Sequence, residues 1–297
     1  MAWKQLVITN INKNLADNIE EFLEFEALSV TYQDAYDIPI FEPLPGEVRL
    51  WDDLVLTALF NMDYDLENLK IQILDNFDID DSKLEVSILE DKVWEKEYLK
   101  DFHPMQFGNN LWIFPVDTEL TKDDLDKKIV FLDPGIAFGT GSHNTTSLCL
   151  TYLDSLDLKG KLVLDFGCGS GILGLAAAKL GASKVVGIDI EPQAIDATLR
   201  NAKTNSVDNK FETYLSPGEK EIKLLKSSAD CVVANILAKP LIELSDSIIS
   251  LVKEDGILAL SGILKEQLDE VQKVYEKKIS FIERRIDEDW GLLVFKK

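Results

Sequence analysis

Residues 161–191 read KLVLDFGCGSGILGLAAAKLGASKVVGIDIE. The stretch opens on a short apolar run, Leu162 to Phe166, of strand length and β-branched flavour. Three alternating glycines follow, Gly167, Gly169 and Gly171, then an Ala/Leu-rich helical run from Ile172 to Leu180 closed by Gly181. A second strand, Lys184 to Ile190, carries Asp189 near its end. This is a β-loop-α-β unit whose ligand-facing edge lies at the strand C-termini. Without a Cβ, the glycines let the loop turn tightly and bring backbone close to a ligand. Asp189 lies 22 residues after Gly167, where a carboxylate can accept both hydroxyls of a ribose. The expectation is an adenosine-type pocket that uses Gly167, Gly169 and Asp189.

Two ligands compete for it. Gly169-Ser170-Gly171-Ile172-Leu173-Gly174 fits G-x-G-x-x-G, so a dinucleotide fold is one reading. The wider pattern is Asp165-x-Gly167-x-Gly169-x-Gly171. An acid at the strand end repels a pyrophosphate but suits a cationic ligand. S-adenosylmethionine carries a sulfonium and an ammonium and no phosphate, so the wider pattern favours a methyltransferase. An ordinary βαβ crossover with glycine packing is the third reading.

Outward from this unit, strands and helices alternate from Ile129 onward. Candidate strands are Ile129–Leu132, Leu162–Phe166, Lys184–Ile190, Phe211–Leu215, Ala229–Asn235, Gly256–Ser261, Ser280–Asp287 and Leu292–Phe295. Helices are expected near His143–Ser155, Ile172–Leu180, Pro192–Asn205, Pro240–Val252 and Glu266–Lys278. Such alternation implies a mostly parallel sheet covered on both faces. The last two strands, joined by a short turn placed at Trp290-Gly291, should form an antiparallel hairpin. That ending fits a methyltransferase sheet, whereas a dinucleotide fold supplies a second, all-parallel half.

The N-terminal third follows a different plan. Trp3–Thr9, Val30–Ala35, Leu54–Phe60 and Lys83–Leu89 read as strands, and Leu15–Leu28 and Asp65–Asn76 as helices. The order β-α-β-β-α-β is that of a ferredoxin-like sandwich, assigned to residues 1–90. Residues 91–128, with a charged helix expected over Asp91–Phe102, form the linker and domain entrance. Residues 129–297 form the catalytic domain.

Composition bounds the function. The chain has 297 residues, 46% of them hydrophobic, and a formal net charge of −22. Residues 1–100 hold 8 Lys/Arg against 23 Asp/Glu, a net charge of −15. Such a surface disfavours nucleic acid and anionic membrane and favours a basic partner. Cys149, Cys168 and Cys231 are widely spaced and form no C-x-x-C, and His103 and His143 are the only histidines. Neither a metal site nor a disulfide framework is expected, and buried free thiols fit a reducing compartment. With no signal-peptide run and no stretch of membrane-spanning length, the expectation is a cytoplasmic monomer.

Two further motifs bear chemistry. Leu132 to Thr146 is a second glycine-rich stretch that lacks the lysine of a phosphate loop. It leads into a helix whose first turn holds Thr145 and Thr146, where a hydroxyl can cap the helix or meet a ligand carboxylate. His143 could act as a base, or be structural. The apolar strand Val232-Val233-Ala234-Asn235 ends in an amide. The Asn235 carbonyl and a following backbone C=O can both accept bonds from an amine and aim its lone pair along an S–CH3 axis. The alternative is a turn-forming residue at a strand end.

With these motifs in hand, the sequence resembles the bacterial ribosomal protein L-eleven methyltransferase family over nearly its whole length. The marks are Phe41-Glu42-Pro43-Leu44-Pro45-Gly46-Glu47, Asp101-Phe102-His103-Pro104-Met105, Asp133 to Thr146, Asp165 to Gly171, Asn235-Ile236-Leu237-Ala238 and Leu260-Ser261-Gly262-Ile263-Leu264. The resemblance implies a class I S-adenosylmethionine-dependent methyltransferase, with a Rossmann-like seven-stranded sheet and an N-terminal ferredoxin-like α+β domain that holds the substrate. It also implies trimethylation of lysine side chains and the N-terminal α-amine of a ribosomal large-subunit protein. Cofactor contacts carry over to Thr146, Gly167, Asp189 and Asn235. The chain departs from the family at Asn144, where a proline is usual, and at Gly291-Leu292-Leu293, where more polar residues follow the tryptophan.

Overall fold

The computed structural model describes residues 2–36, 50–90, 102–133, 141, 143–215 and 219–297. The charged helix expected over Asp91–Phe102, the Phe41–Glu47 motif and most of the Asp133–Ser142 loop lie outside them. The chain divides into two compact units, Met1–Trp94 and Glu95–Lys297.

In the first unit, alternation along β3 (Asp53–Phe60) and the middle of β1 (Ala2–Asn12) puts Leu6, Ile8, Leu54, Leu56, Ala58 and Phe60 on one buried face. Against that face pack α1 (Lys13–Leu23), through Ala16, Ile19 and Leu23, and α2 (Leu66–Asn76), through Leu69 and Ile73. Each helix starts where a side-chain oxygen takes an early amide: Asn12 accepts from Leu15 N at 2.9 Å, and Asp65 from Asn68 N at 3.2 Å. With β2 (Ser29–Asp34) and β4 (Leu84–Glu90), the sheet order is β2-β3-β1-β4, antiparallel throughout. This is the ferredoxin-like topology expected from the element order. Asp17, Glu20, Glu21 and Glu24 point outward from α1.

The second unit is built on a seven-stranded sheet. Its strands are β8 (Leu162–Phe166), β9 (Lys184–Asp189), β10 (Phe211–Leu215), β11 (Ala229–Asn235), β12 (Val252–Leu264), β13 (Ser280–Asp287) and β14 (Trp290–Lys296). Their order is β10-β9-β8-β11-β12-β14-β13, parallel except for β14, which runs antiparallel to both neighbours. The central strands read as continuous apolar runs because both faces are covered. On one face lie α3 (Asn144–Asp154), α4 (Ile172–Lys179) and α5 (Pro192–Thr204). On the other lie α6 (Glu219–Leu225), α7 (Ala238–Glu243), α8 (Ser245–Leu251) and α9 (Leu268–Glu276). Strand order reverses between β8 and β11, so a crevice opens at their C-terminal ends.

Local differences from expectation have local causes. The strand over Ile129–Leu132 does not join the large sheet: β7 (Lys128–Leu132) runs parallel to β6 (Leu111–Pro115), which pairs antiparallel with β5 (Met105–Phe107). The helix expected over Pro240–Val252 is two, broken at Leu244. The hairpin turn sits at Glu288-Asp289, because Asp287 pairs with Trp290, and not at Trp290-Gly291. Gly291 instead makes room for α9: a Cβ there would lie 2.5 Å from Leu268 Cδ2.

Candidate active site

Leaving β8, the chain turns at Gly167 with φ +78°, a conformation that favours glycine. A Cβ at this position would lie 2.3 Å from Cγ2 of Ile236, so the loop meets the end of β11 here. The loop is tied to the tip of β9. Gly167 N and Cys168 N donate to Ile188 O at 2.8 and 3.0 Å, and Gly169 N donates to Asp189 Oδ2 at 2.9 Å. Gly171 N closes the turn on Cys168 O at 2.8 Å. These four amides are therefore engaged within the protein. A pyrophosphate would find none of them free and would face a carboxylate, which removes the support for the dinucleotide reading. Asp189 also accepts Glu191 N through Oδ1, at 3.0 Å. Each of its oxygens keeps a lone pair, enough for the two hydroxyls of a ribose.

Helix α5 braces the loop from behind. Thr198 Oγ1 donates to Gly169 O at 3.1 Å, and Asn201 Nδ2 to Ser170 O at 2.9 Å and Asp133 O at 3.1 Å. One helical turn later, just past the end of α5, Asn205 bonds both the N–H and the C=O of Phe131, at 2.8 and 2.6 Å. All three side chains are buried. Sequence reading passed them over, although polar residues on the apolar face of a helix are themselves a sign of internal partners.

Asp165, one residue before the end of β8, is only 1% exposed. Its Oδ2 accepts the Gly174 amide at 2.9 Å, in the first turn of α4, while Oδ1 is buried without a partner among the described residues. The carboxyl is pushed up to about 7, chiefly by burial, with the Gly174 amide lowering it and the Asp189 charge raising it within that net value. A cation arriving at the loop would favour the ionised form.

Across the crevice, Asn235 and Thr146 meet although 89 residues apart: Asn235 Nδ2 donates to Thr146 Oγ1 at 3.2 Å. Thr146 is 1% exposed, so this hydroxyl is a fixed partner. One N–H of the amide is used on Thr146, which orients the side chain and leaves Oδ1 for a ligand. His143 caps α3 by accepting Thr145 N at 3.3 Å, with its Nδ1 also 2.8 Å from Thr145 Oγ1. Burial lowers the His143 pKa below the ordinary imidazole value. In this geometry the ring caps the helix start. The Glu288-Asp289 hairpin steadies the same helix start. Trp290 meets the His143 ring edge-on at 4.8 Å, and Asn144 Nδ2 donates to Glu288 Oε2 at 3.2 Å. The asparagine that replaces the family's usual proline thus makes a bond that proline has no group to make.

Thr146, Gly167, Gly169, Asp189 and Asn235 all sit at the C-terminal edge around β8, β9 and β11. Among the described residues, no group of three His, Cys, Asp or Glu is placed to hold a metal. The three cysteines are free and buried, and burial raises their pKa values, that of Cys231 to about 12. No described helix is long and apolar enough to cross a membrane.

Comparison with known proteins identifies the family. The family model described as "Ribosomal protein L11 methyltransferase (PrmA)" matches residues 2–297. A ribosomal protein L11 methyltransferase from Vibrio campbellii (strain ATCC BAA-1116) is 50% identical over 282 residues, 94% of this chain and 93% of that protein. The protein of that name from Escherichia coli (strain 55989 / EAEC) is 45% identical over 299 aligned positions, covering 100% of both chains. A crystal structure of ribosomal protein L11 methylase from Lactobacillus delbrueckii subsp. bulgaricus has a TM-score of 0.59 at 31% identity. It covers 65% of this chain and 98% of that one. A match along the whole length, with relatives at this level of identity, makes the chain a member of the ribosomal protein L11 methyltransferase family.

Proposed function

We propose that this chain moves methyl groups from S-adenosylmethionine to amines of ribosomal protein L11, lysine side chains and the N-terminal α-amine, up to the trimethyl level. The site suits that donor chemically. The Asp189 carboxylate can take the ribose hydroxyls, and Ile190, 74% exposed and next in the chain, offers an apolar face for a base. The glycine loop offers no free amides to a phosphate among the four described above, and the buried oxygen of Asp165 favours a cation. When bound, the donor supplies an electrophilic methyl on a sulfonium. Gly167, Gly169, Asp189, Thr146 and Asn235 would hold it.

The observation that carries the reading is the Asn235–Thr146 contact. With Nδ2 committed to Thr146, Oδ1 can accept one N–H of an amine, and the Ile236 carbonyl beyond it can accept a second. Two acceptors fix the nitrogen so that its lone pair lies along the line of attack, and orientation is most of what this displacement needs. The amine must be neutral, whereas a free lysine titrates near 10.4; desolvation and a nearby cation both lower that value. No protein nucleophile or metal is required.

The acidic N-terminal domain, residues 1–90, is the docking surface for the basic substrate in this reading. Residues 91–128 link it to the catalytic unit, and the enzyme works as a cytoplasmic monomer without nucleic-acid or membrane contact. Replacing Asn235 by alanine tests the amine-holding role. Transfer should fall by about 10²–10³-fold, as when one preorganised polar group is removed, while donor binding is weakened but measurable by calorimetry. Full activity in that variant would sink the reading.

A further inference from the structure

The Leu260–Leu264 motif has no part in the chemistry so far, yet it touches the amine-holding element directly. Strand β12 stays in register with β11 as far as the pair Asn235 and Ser261. There it bulges: its pairing with β14 shifts between Leu260 and Ile263, and Gly262 turns to φ +81°. A Cβ on residue 262 would lie 2.4 Å from Ile236 O, 2.7 Å from Ile236 C and 3.0 Å from Ile236 N. All three are backbone atoms, so no side-chain rotation relieves the clash. From the other side the Ile236 side chain closes on Gly167, where a Cβ would meet Cγ2 at 2.3 Å. The Ile236 peptide is thus held between two glycines, one in the donor loop after β8 and one in the β12 bulge. Ser261 anchors the bulge: fully buried, it donates from Oγ to Gly291 O at 2.9 Å. Among the described residues no hydrogen bond reaches the Ile236 carbonyl, whereas the backbone of Gly262 packs directly against it.

We propose that Gly262 is a positioning residue for methyl transfer, its bulge fixing the tilt of the Ile236 peptide and so aiming the Asn235–Ile236 acceptor pair at the amine. This rests on the amine-holding reading of Asn235. Gly262 touches neither donor nor amine; it acts through the peptide it packs against. Bulges beside active sites commonly re-aim a neighbouring group in this way.

The test compares Gly262→Ala, Ser261→Ala, Asn235→Ala and the double variant Gly262→Ala/Asn235→Ala. Each is measured for kcat with ribosomal protein L11, KM for that substrate, and donor Kd by calorimetry. Gly262→Ala should lower kcat by about 10–100-fold, the scale of a small misplacement, with donor Kd within about threefold of wild type. Ser261→Ala, which loosens the anchor without adding an atom, should lower kcat in the same direction by less. Because Gly262 works through the same acceptor pair, of which the Ile236 carbonyl survives in Asn235→Ala, the loss in the double variant should be smaller than the product of the two single losses. An unchanged kcat in Gly262→Ala overturns the proposal. So do losses that multiply in the double variant, or kcat and donor affinity that fall together. Should Gly262→Ala not fold, by circular dichroism, Ser261→Ala alone decides: a lowered kcat at unchanged donor Kd supports the proposal and an unchanged kcat overturns it. Asn235→Ala separates the two claims, since full activity there removes the amine-holding reading itself, whereas an inactive Asn235→Ala beside a fully active Gly262→Ala removes only the role of Gly262.

Discussion

Replacing Asn235 by aspartate exchanges an NH2 for an oxygen and keeps the shape of the side chain. Thr146 Oγ1, which accepts from Asn235 at 3.2 Å, can rotate and donate instead, so the contact survives. What changes is charge beside an amine that must be neutral to react. A carboxylate about 4 Å from the nitrogen, at an effective dielectric of about 20, favours the ammonium by about 4 kcal/mol. Asn235 is partly exposed, and screening by water halves that to about 2 kcal/mol. Expressed as a pKa, this is about 1.5 units upward for the bound amine, or about 30-fold less reactive form at neutral pH. The assay is the initial rate of methyl transfer from labelled donor between about pH 7 and about pH 10, a range that brackets an amine with a lowered pKa. The Asn235→Asp profile should rise about 1.5 units more alkaline than wild type and recover most of its rate at the upper end. Asn235→Ala loses the aim without adding charge, so its profile drops without shifting. If all three profiles share one midpoint, Asn235 does not face the reacting nitrogen.

Two further outcomes follow from the same geometry. Asp165 titrates at about 7 in the folded protein against an ordinary 3.8, so its neutral form is the one the fold prefers. Its contribution to stability is therefore fully present below about pH 4 and is lost as pH rises through about 7. Asp165→Asn keeps the oxygen that accepts from Gly174 and cannot ionise, so in thermal melts its advantage over wild type should widen between about pH 5 and about pH 8. A constant difference would contradict the buried, partnerless Oδ1. Residues 1–90, which bury a core of their own, should bind ribosomal protein L11, and more weakly as salt rises from about 50 to about 300 mM and shortens the Debye length. No binding at low salt would count against the docking role.

How much was legible follows from which interactions are local. The β8–loop–α4–β9 unit was open to reading because apolar periodicity and alternating glycines act over a few residues. The ferredoxin-like order followed from alternation along β1 and β3. Spacing pointed to Asp189 as a candidate ribose acceptor, but its bond to the Gly169 amide depends on where β9 ends beside β8, which spacing alone does not show. The Asn235–Thr146 contact joins residues on β11 and α3 and exists only once both flank the crevice. The hairpin turn was placed at Gly291 because glycine signals turns, whereas this glycine serves close packing against Leu268. The break at Leu244 was hidden because Leu241 of α7 and Ile248 of α8 are buried in the same cluster, so the apolar pattern runs on without interruption.

The most direct measurement of the central claim is mass spectrometry of purified ribosomal protein L11 after incubation with this protein and labelled S-adenosylmethionine. The account predicts mass gains in steps of one methyl group, up to three on each modified amine, mapping to lysine side chains and the N-terminus. It also predicts that the gains accumulate about 10²–10³-fold more slowly with Asn235→Ala. An unmodified substrate in the presence of a donor that calorimetry shows to be bound, or a chain that ignores that donor and takes up a nicotinamide nucleotide, would contradict it.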